Sequence, residues 1–169
     1  MTKPADRPDR NAEPFWRRKA LQDLTAAEWE SLCDGCGQCC RMKLEDGDTG
    51  DVLITDIACA LLDLESCRCV DYPNRRARVP ACMQLSPEKV AAVHWLPPTC
   101  GYRLVAAGKD LEAWHPLVSG DPDSVHRAGV SVRGEVISEA DIDDMPEFLA
   151  RWYGVELEDD GADQTAGDE

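Results

Sequence analysis

The sequence predicts a small, loop-rich α+β domain of short helices and a β-hairpin, organised around a cysteine-ligated metal site. Two observations lead to this prediction. The stretches with helical or strand periodicity are short and are separated by glycine and proline. All nine cysteines lie between Cys33 and Cys100, and the first four form a CxxCxxCC array. We expect a flexible leader at 1–13, one domain at 14–153 and an acidic disordered tail at 154–169.

The first half of the chain predicts two helices and a hairpin. An amphipathic helix is expected over 14–24, and Thr25 with Glu28 fits a capping box that starts a second helix at Ala26. This second helix would lead directly into Cys33. Alternating strands at 41–45 and 52–57 predict a β-hairpin. The acidic loop between them lacks EF-hand spacing, so we interpret it as a turn.

The second half predicts mainly short helices. Ser86 and Pro87 form a good start for a helix that continues to Val93. Thr99 is expected to cap a helix over 100–107 that ends at Gly108. The remaining expected elements are a helical turn at 58–64, an extended segment at 67–72, a helix over 121–129, strand pieces at 130–133 and 136–137, and a final helix over 146–153 that ends at Gly154.

The composition limits the classes of function. Leucine, isoleucine, valine and phenylalanine make up only about a fifth of the residues, and the net charge is −15. Metal–thiolate bonds are therefore expected to contribute to folding. The negative charge argues against a nucleic-acid partner, and no apolar stretch is long enough to span a membrane. Because no secretory segment is recognisable, we expect a cytoplasmic protein whose cysteines are reduced. A protein partner stays possible.

The cysteine spacing indicates the chemistry. A Cys-x-x-Cys segment turns both sulfurs towards one ion, and three cysteines at successive two-residue gaps match the bacterial ferredoxin pattern, which takes its fourth ligand from elsewhere. The spacing slightly favours an iron–sulfur cluster and leaves zinc open, with one centre or two. Ranked from the strongest candidate metal ligand to the weakest, the cysteines are Cys33, Cys36, Cys39 and Cys40, then Cys67, Cys69 and Cys82, then Cys100, and finally Cys59, whose neighbours are apolar.

Side-chain alternation refines this set. In an extended backbone, Cys39 and Cys40 would point in opposite directions, whereas Cys67 and Cys69 would share one face of a strand. The three histidines match no ligand spacing and are interpreted as structural, with His115 the first to test. The cysteine window also contains six basic residues, which would lower thiol pKa values and offset thiolate charge: Arg41, Lys43, Arg68, Arg75, Arg76 and Arg78.

Five segments carry a resemblance to a known family. These are LCDGCGQCC (32–40), ITDIACALLD (54–63), CRCVDYPNRR (67–76), WLPPTCGYRL (95–104) and WHPLVSGDP (114–122). In content and order they resemble the YcgN-type bacterial cysteine-cluster proteins, a branch of the CxxCxxCC group that is named for zinc or iron chelation. The resemblance covers about 14–133 and implies a metal site without implying a reaction.

Three functional hypotheses follow from these features. The first is a metal-binding protein whose centre is structural or acts as a sensor. The second is an iron–sulfur-dependent redox or group-transfer enzyme, which stays open because some flagellin-lysine methylases are similar around the array. The third is a zinc-stapled interaction module. The first is favoured, because no nucleophile–base pair or cofactor motif is visible.

Overall fold

The computed structural model describes residues 13–155. The predicted leader and acidic tail therefore lie outside the described residues, except for Glu13, Gly154 and Val155. The described residues form an α+β fold, as the sequence predicts. Its α-helices are α1 (Phe15–Arg18), α2 (Ala26–Ser31), α3 (Arg75–Arg78), α4 (Pro87–Val90), α5 (Gly101–Ala106), α6 (Pro116–Ser119), α7 (Ser124–Arg127) and α8 (Met145–Tyr153).

The main sheet has three strands in the order β1-β2-β5. Strands β1 (Arg41–Glu45) and β2 (Val52–Ala58) form the predicted antiparallel hairpin, and the intervening loop is a turn in which Asp46 Oδ1 accepts hydrogen bonds from two backbone N–H groups. Strand β5 (Ile137–Ser138) pairs in parallel with the end of β2. The sheet thus places Cys40 and Cys59 beside each other at one end of the β1–β2 pair.

A second, two-stranded sheet follows the hairpin. Strands β3 (Leu62–Asp63) and β4 (Arg68–Cys69) are antiparallel, so the helical turn predicted over 58–64 is wrong. Cys67 joins them at φ 55°, a left-handed conformation that non-glycine residues seldom adopt. Only residues 59–61 lie between the end of β2 and the start of β3, which is too few for the predicted helical turn.

The helices are shorter than predicted. The predicted helix over 14–24 is broken into α1 and a 3₁₀ turn at Leu21–Asp23. Thr25 and Glu28 do form the capping box of α2. Thr99 does not cap α5, since Cys100 occupies the N-cap position, and 130–133 is not a strand. The 130–132 segment instead bonds to the cysteine loop, since the Val132 N–H donates to the Cys36 carbonyl.

Two small apolar cores stabilise the fold. The helical core consists of the buried residues Leu32, Val90, Tyr102, Val105 and Leu111, and Cys100 packs against it. The sheet core consists of Ala58, Leu62, Cys67 and Val132, and Cys40 packs against it. None of the helices within residues 13–155 combines the length and the apolar character that crossing a membrane requires.

Candidate metal centre

The loop formed by residues 33–40 runs from the end of α2 to the start of β1. Gly35 and Gly37 have φ values of 80° and 74°, which confirms that they provide the tight backbone that the spacing predicts. A Cβ at Gly37 would lie 2.7 Å from Val132, so this loop packs directly on the 130–132 segment. The Cys36 carbonyl accepts a 2.8 Å hydrogen bond from the Val132 N–H. We call residues 33–40 the chelating loop.

Three thiols lie within electrostatic reach of the Cys39 thiol, namely Cys33 and Cys36 of the chelating loop and Cys100 at the N-cap of α5. Burial, with a smaller effect of the Cys39 thiol, raises the pKa of Cys33 to about 12 and also raises the pKa values of Cys36 and Cys100. A hydrogen bond with the Cys40 thiol, together with burial, raises the pKa of Cys39 itself. We call Cys33, Cys36, Cys39 and Cys100 the central thiol group.

The central thiol group retains contact with solvent. Cys33 and Cys39 are exposed, whereas Cys36 and Cys100 are half-buried. Surrounding protein nevertheless displaces water from the sulfurs, and because charge formation at a desolvated sulfur is unfavourable, the pKa of Cys33 lies above the ordinary thiol value. A metal ion that binds here must displace thiol protons, and it can enter from solvent.

Cys39 and Cys40 are closer together than alternation predicts. The segment Gln38–Cys40 is a 3₁₀ helix and not an extended strand, so the two side chains are not on opposite faces. Cys40 also ties the chelating loop to the sheet, since its carbonyl accepts a 2.9 Å hydrogen bond from the Cys59 N–H.

Two of the six basic residues face the central thiol group. The Arg68 guanidinium lies over Gly35, where a Cβ would come within 2.8 Å of it, and its charge acts to lower the pKa of Cys33. Lys43 donates a 2.9 Å hydrogen bond to the Cys39 carbonyl and also acts to lower the pKa of Cys39. These charges partly offset the charge that thiolates would carry.

His115 has a structural place beside the loop. It is fully buried, its Nδ1 accepts a 3.1 Å hydrogen bond from the Leu117 N–H, and its Nε2 lies 3.1 Å from the Leu32 carbonyl. Nδ1 accepts, so Nε2 carries the proton and donates to Leu32. Both ring nitrogens are used, and His115 holds the backbone immediately before Cys33.

Asp34 is a buried acid that the sequence reasoning missed. It is 3% exposed, and its Oδ1 accepts a 2.9 Å hydrogen bond from the Cys36 N–H. Its Oδ2 is buried without a hydrogen-bond partner. Its position between two cysteines of the array was the only sequence signal available, and an acid in a loop is usually solvated.

Four cysteines lie apart from the central thiol group, namely Cys59, Cys67, Cys69 and Cys82. Cys59 lies near Cys69 and Cys82, which add to the effects of burial and Glu139 in raising its pKa. These three form a distal thiol group. Cys67 is buried in the sheet core, where burial raises its pKa, and its left-handed backbone removes the strand alternation expected to align it with Cys69.

The donor set fits a soft metal ion, although the side chains are not arranged around one point. Within residues 13–155, no three His, Cys, Asp or Glu side chains lie close enough together to hold a metal ion as they stand. Ligation by the central thiol group therefore requires cysteine side chains to rotate between staggered χ1 positions. All nine cysteines are free thiols, so this rotation breaks no disulfide.

Comparison with known proteins identifies the family. The model named CxxCxxCC, described as "Putative zinc- or iron-chelating domain", matches residues 32–101. A UPF0260 protein of Sinorhizobium fredii is 60% identical over 141 residues, which cover 82% of this chain and 91% of that protein. The chain belongs to the UPF0260 family. UPF0260 proteins of Rhizobium meliloti (60% over 141 residues) and Agrobacterium fabrum (58% over 144 residues) are also similar, covering 82% and 84% of this chain and 91% and 89% of the relatives.

The matched domain contains both thiol groups of this UPF0260 chain. It begins at Leu32, whose carbonyl His115 binds, and ends at Gly101, the first residue of α5. The family match thus confirms a cysteine-cluster domain associated with zinc or iron. No solved structure matches the chain.

Proposed function

We propose that this protein holds a zinc or iron centre through Cys33, Cys36, Cys39 and Cys100, and that the centre has a structural role. The observation that carries the proposal is the close approach of Gly101 and His115 to the Leu32 carbonyl, which brings Cys100, 61 residues beyond Cys39, to the start of the chelating loop. Thiolates at this spacing are ligands that soft metals prefer.

Iron–sulfur is the favoured form of the centre. Three cysteines at two-residue gaps plus a distant fourth follow the ferredoxin arrangement, and the fourth here is Cys100. Zinc with the same four thiolates is the alternative, because Cys₄ zinc sites also use Cys-x-x-Cys pairs. Either centre would give the domain two or more metal–sulfur bonds within a single loop.

The structural role follows from the position of the thiols between the two cores. Leu32, next to Cys33, and Tyr102, two residues after Cys100, belong to the helical core. Cys40, at the other end of the chelating loop, packs against the sheet core. A metal bound at the central thiol group would therefore join two cores that are each too small to be stable alone.

Removing the metal tests this role. We expect chelation to lower the thermal transition of the protein and to make it non-cooperative, because the two cores lose their shared link. The measurement is near- and far-ultraviolet circular dichroism during heating, before and after treatment with a strong chelator and a reductant. A metal-free protein that keeps its spectrum and its cooperative transition would contradict the structural role.

A further inference from the structure

Asp34 lies in the chelating loop, between Cys33 and Cys36, and is buried. Its carboxylate contributes to raising the pKa values of Cys33, Cys36, Cys39 and Cys100 alike, so all four sulfurs are within electrostatic range of this one acid. Burial or another thiol also raises the pKa of each of these four cysteines.

The two oxygens of Asp34 differ in their surroundings. Oδ1 accepts the 2.9 Å hydrogen bond from the Cys36 N–H, which fixes the orientation of the carboxylate within the chelating loop. Oδ2 is buried and accepts no hydrogen bond. A buried carboxylate oxygen without a partner costs free energy, and native proteins compensate such a cost with a cation or a donor.

The nearest basic side chains do not satisfy this oxygen. The Arg68 guanidinium lies over Gly35 and the Lys43 ammonium binds the carbonyls of Cys39 and Arg41, and neither donates to Asp34. Because Cys33 and Cys36 flank Asp34 in the chelating loop, a cation held by their thiolates would lie beside this carboxylate. The partner of this oxygen is thus the same ion that the thiols would bind.

The geometry points to Asp34 as an oxygen ligand of the metal centre, coordinating through Oδ2 beside the cysteine thiolates. This inference rests on the proposed function and adds a donor of a different chemical class to it. Carboxylate oxygen is an accepted ligand of zinc and of iron. With Oδ1 held by Cys36, Asp34 would coordinate through a single oxygen.

Cobalt(II) binding tests the inference, because cobalt(II) reports its ligands through its absorption. The intensity of sulfur-to-cobalt charge transfer rises with the number of thiolates, and the d–d bands move to longer wavelength when sulfur replaces oxygen. The metal-free protein, Asp34→Asn and Asp34→Cys are each titrated with cobalt(II) under anaerobic conditions. Asp56→Asn, an exposed acid on β2, is the matched control.

We expect Asp34→Asn to bind cobalt(II) at least about tenfold more weakly, with unchanged charge-transfer intensity. The amide can still accept the Cys36 N–H bond, so loss of that bond does not explain the change. Asp34→Cys should show higher charge-transfer intensity than the wild type and d–d bands at longer wavelength. Asp56→Asn should match the wild type.

The outcomes separate the inference from the proposed function. If the wild type gives thiolate charge transfer and both Asp34 variants reproduce its spectrum and affinity, Asp34 is not a ligand and the thiol centre stands. If the wild type shows no thiolate band with cobalt(II), the proposed function fails and the inference fails with it. Circular dichroism checks folding, and if Asp34→Asn does not fold, the spectrum of Asp34→Cys decides.

Discussion

Replacing Cys36 with serine is expected to weaken metal binding more than about 100-fold, beyond the loss typical of residues that only support a ligand. Cys36 is the middle member of the chelating loop, and its backbone is already fixed by hydrogen bonds to Asp34 and Val132. Serine retains this backbone but offers a hydroxyl that stays protonated at neutral pH. The change therefore tests the sulfur and not the packing. The measurement is zinc or iron per chain in the purified variant.

Cys67→Ser is the matched control for this prediction. Cys67 also lies in the cysteine window, but it is buried and its thiol packs in the sheet core near Ser131, whose hydroxyl can accept a hydrogen bond from a serine placed there. We expect this variant to keep its metal and to lose only about 1–2 kcal/mol of stability. Metal retained by Cys36→Ser and lost by Cys67→Ser would reverse the assignment of the ligands.

Gly101→Ala is expected to destabilise the protein by about 3 kcal/mol or more, which lowers the melting temperature by roughly 6–12 °C. A Cβ at this position would lie 2.2 Å from the Leu32 carbonyl oxygen and 3.1 Å from His115 Nε2. The methyl group would force apart the backbone before Cys33 and the start of α5 after Cys100. Because backbone cannot move aside as a flexible side chain does, overpacking here is costly. Urea unfolding measures the change.

Gly47→Ala controls for the general effect of adding a methyl group to a glycine. Gly47 lies in the hairpin turn, and a Cβ there meets nothing within 4 Å. We expect a change within about 0.5 kcal/mol. Equal stabilities for Gly101→Ala and Gly47→Ala would show that the close approach of α5 to Leu32 does not matter for the fold.

Short sequence patterns correctly predicted those parts of the fold that depend on interactions between residues close together in the chain. The capping box at Thr25, the hairpin with its acidic turn and the end of α8 at Gly154 are each determined by hydrogen bonds or backbone angles within a few residues. The glycines of the chelating loop belong to the same class, since their positive φ values follow from the need for a tight turn.

The features that the sequence did not predict depend on contacts between residues that are far apart in the chain. Cys100 ranked low among the predicted ligands, yet it lies with the chelating loop because His115 and Gly101 bring α5 to Leu32. The 130–132 segment looked like a strand, but its backbone binds Cys36 instead of a neighbouring strand. Asp34 resembled a solvated loop acid, and only its burial distinguishes it from one.

Elemental analysis of the protein purified gently and without oxygen tests the central claim most directly. We predict at least one zinc or iron per chain, released when the protein is denatured, with brown colour and broad visible absorption if the centre is iron–sulfur. Titration of the native protein should then find fewer than the nine thiols that the sequence contains. A colourless protein with neither metal and with all nine thiols reactive would contradict the account.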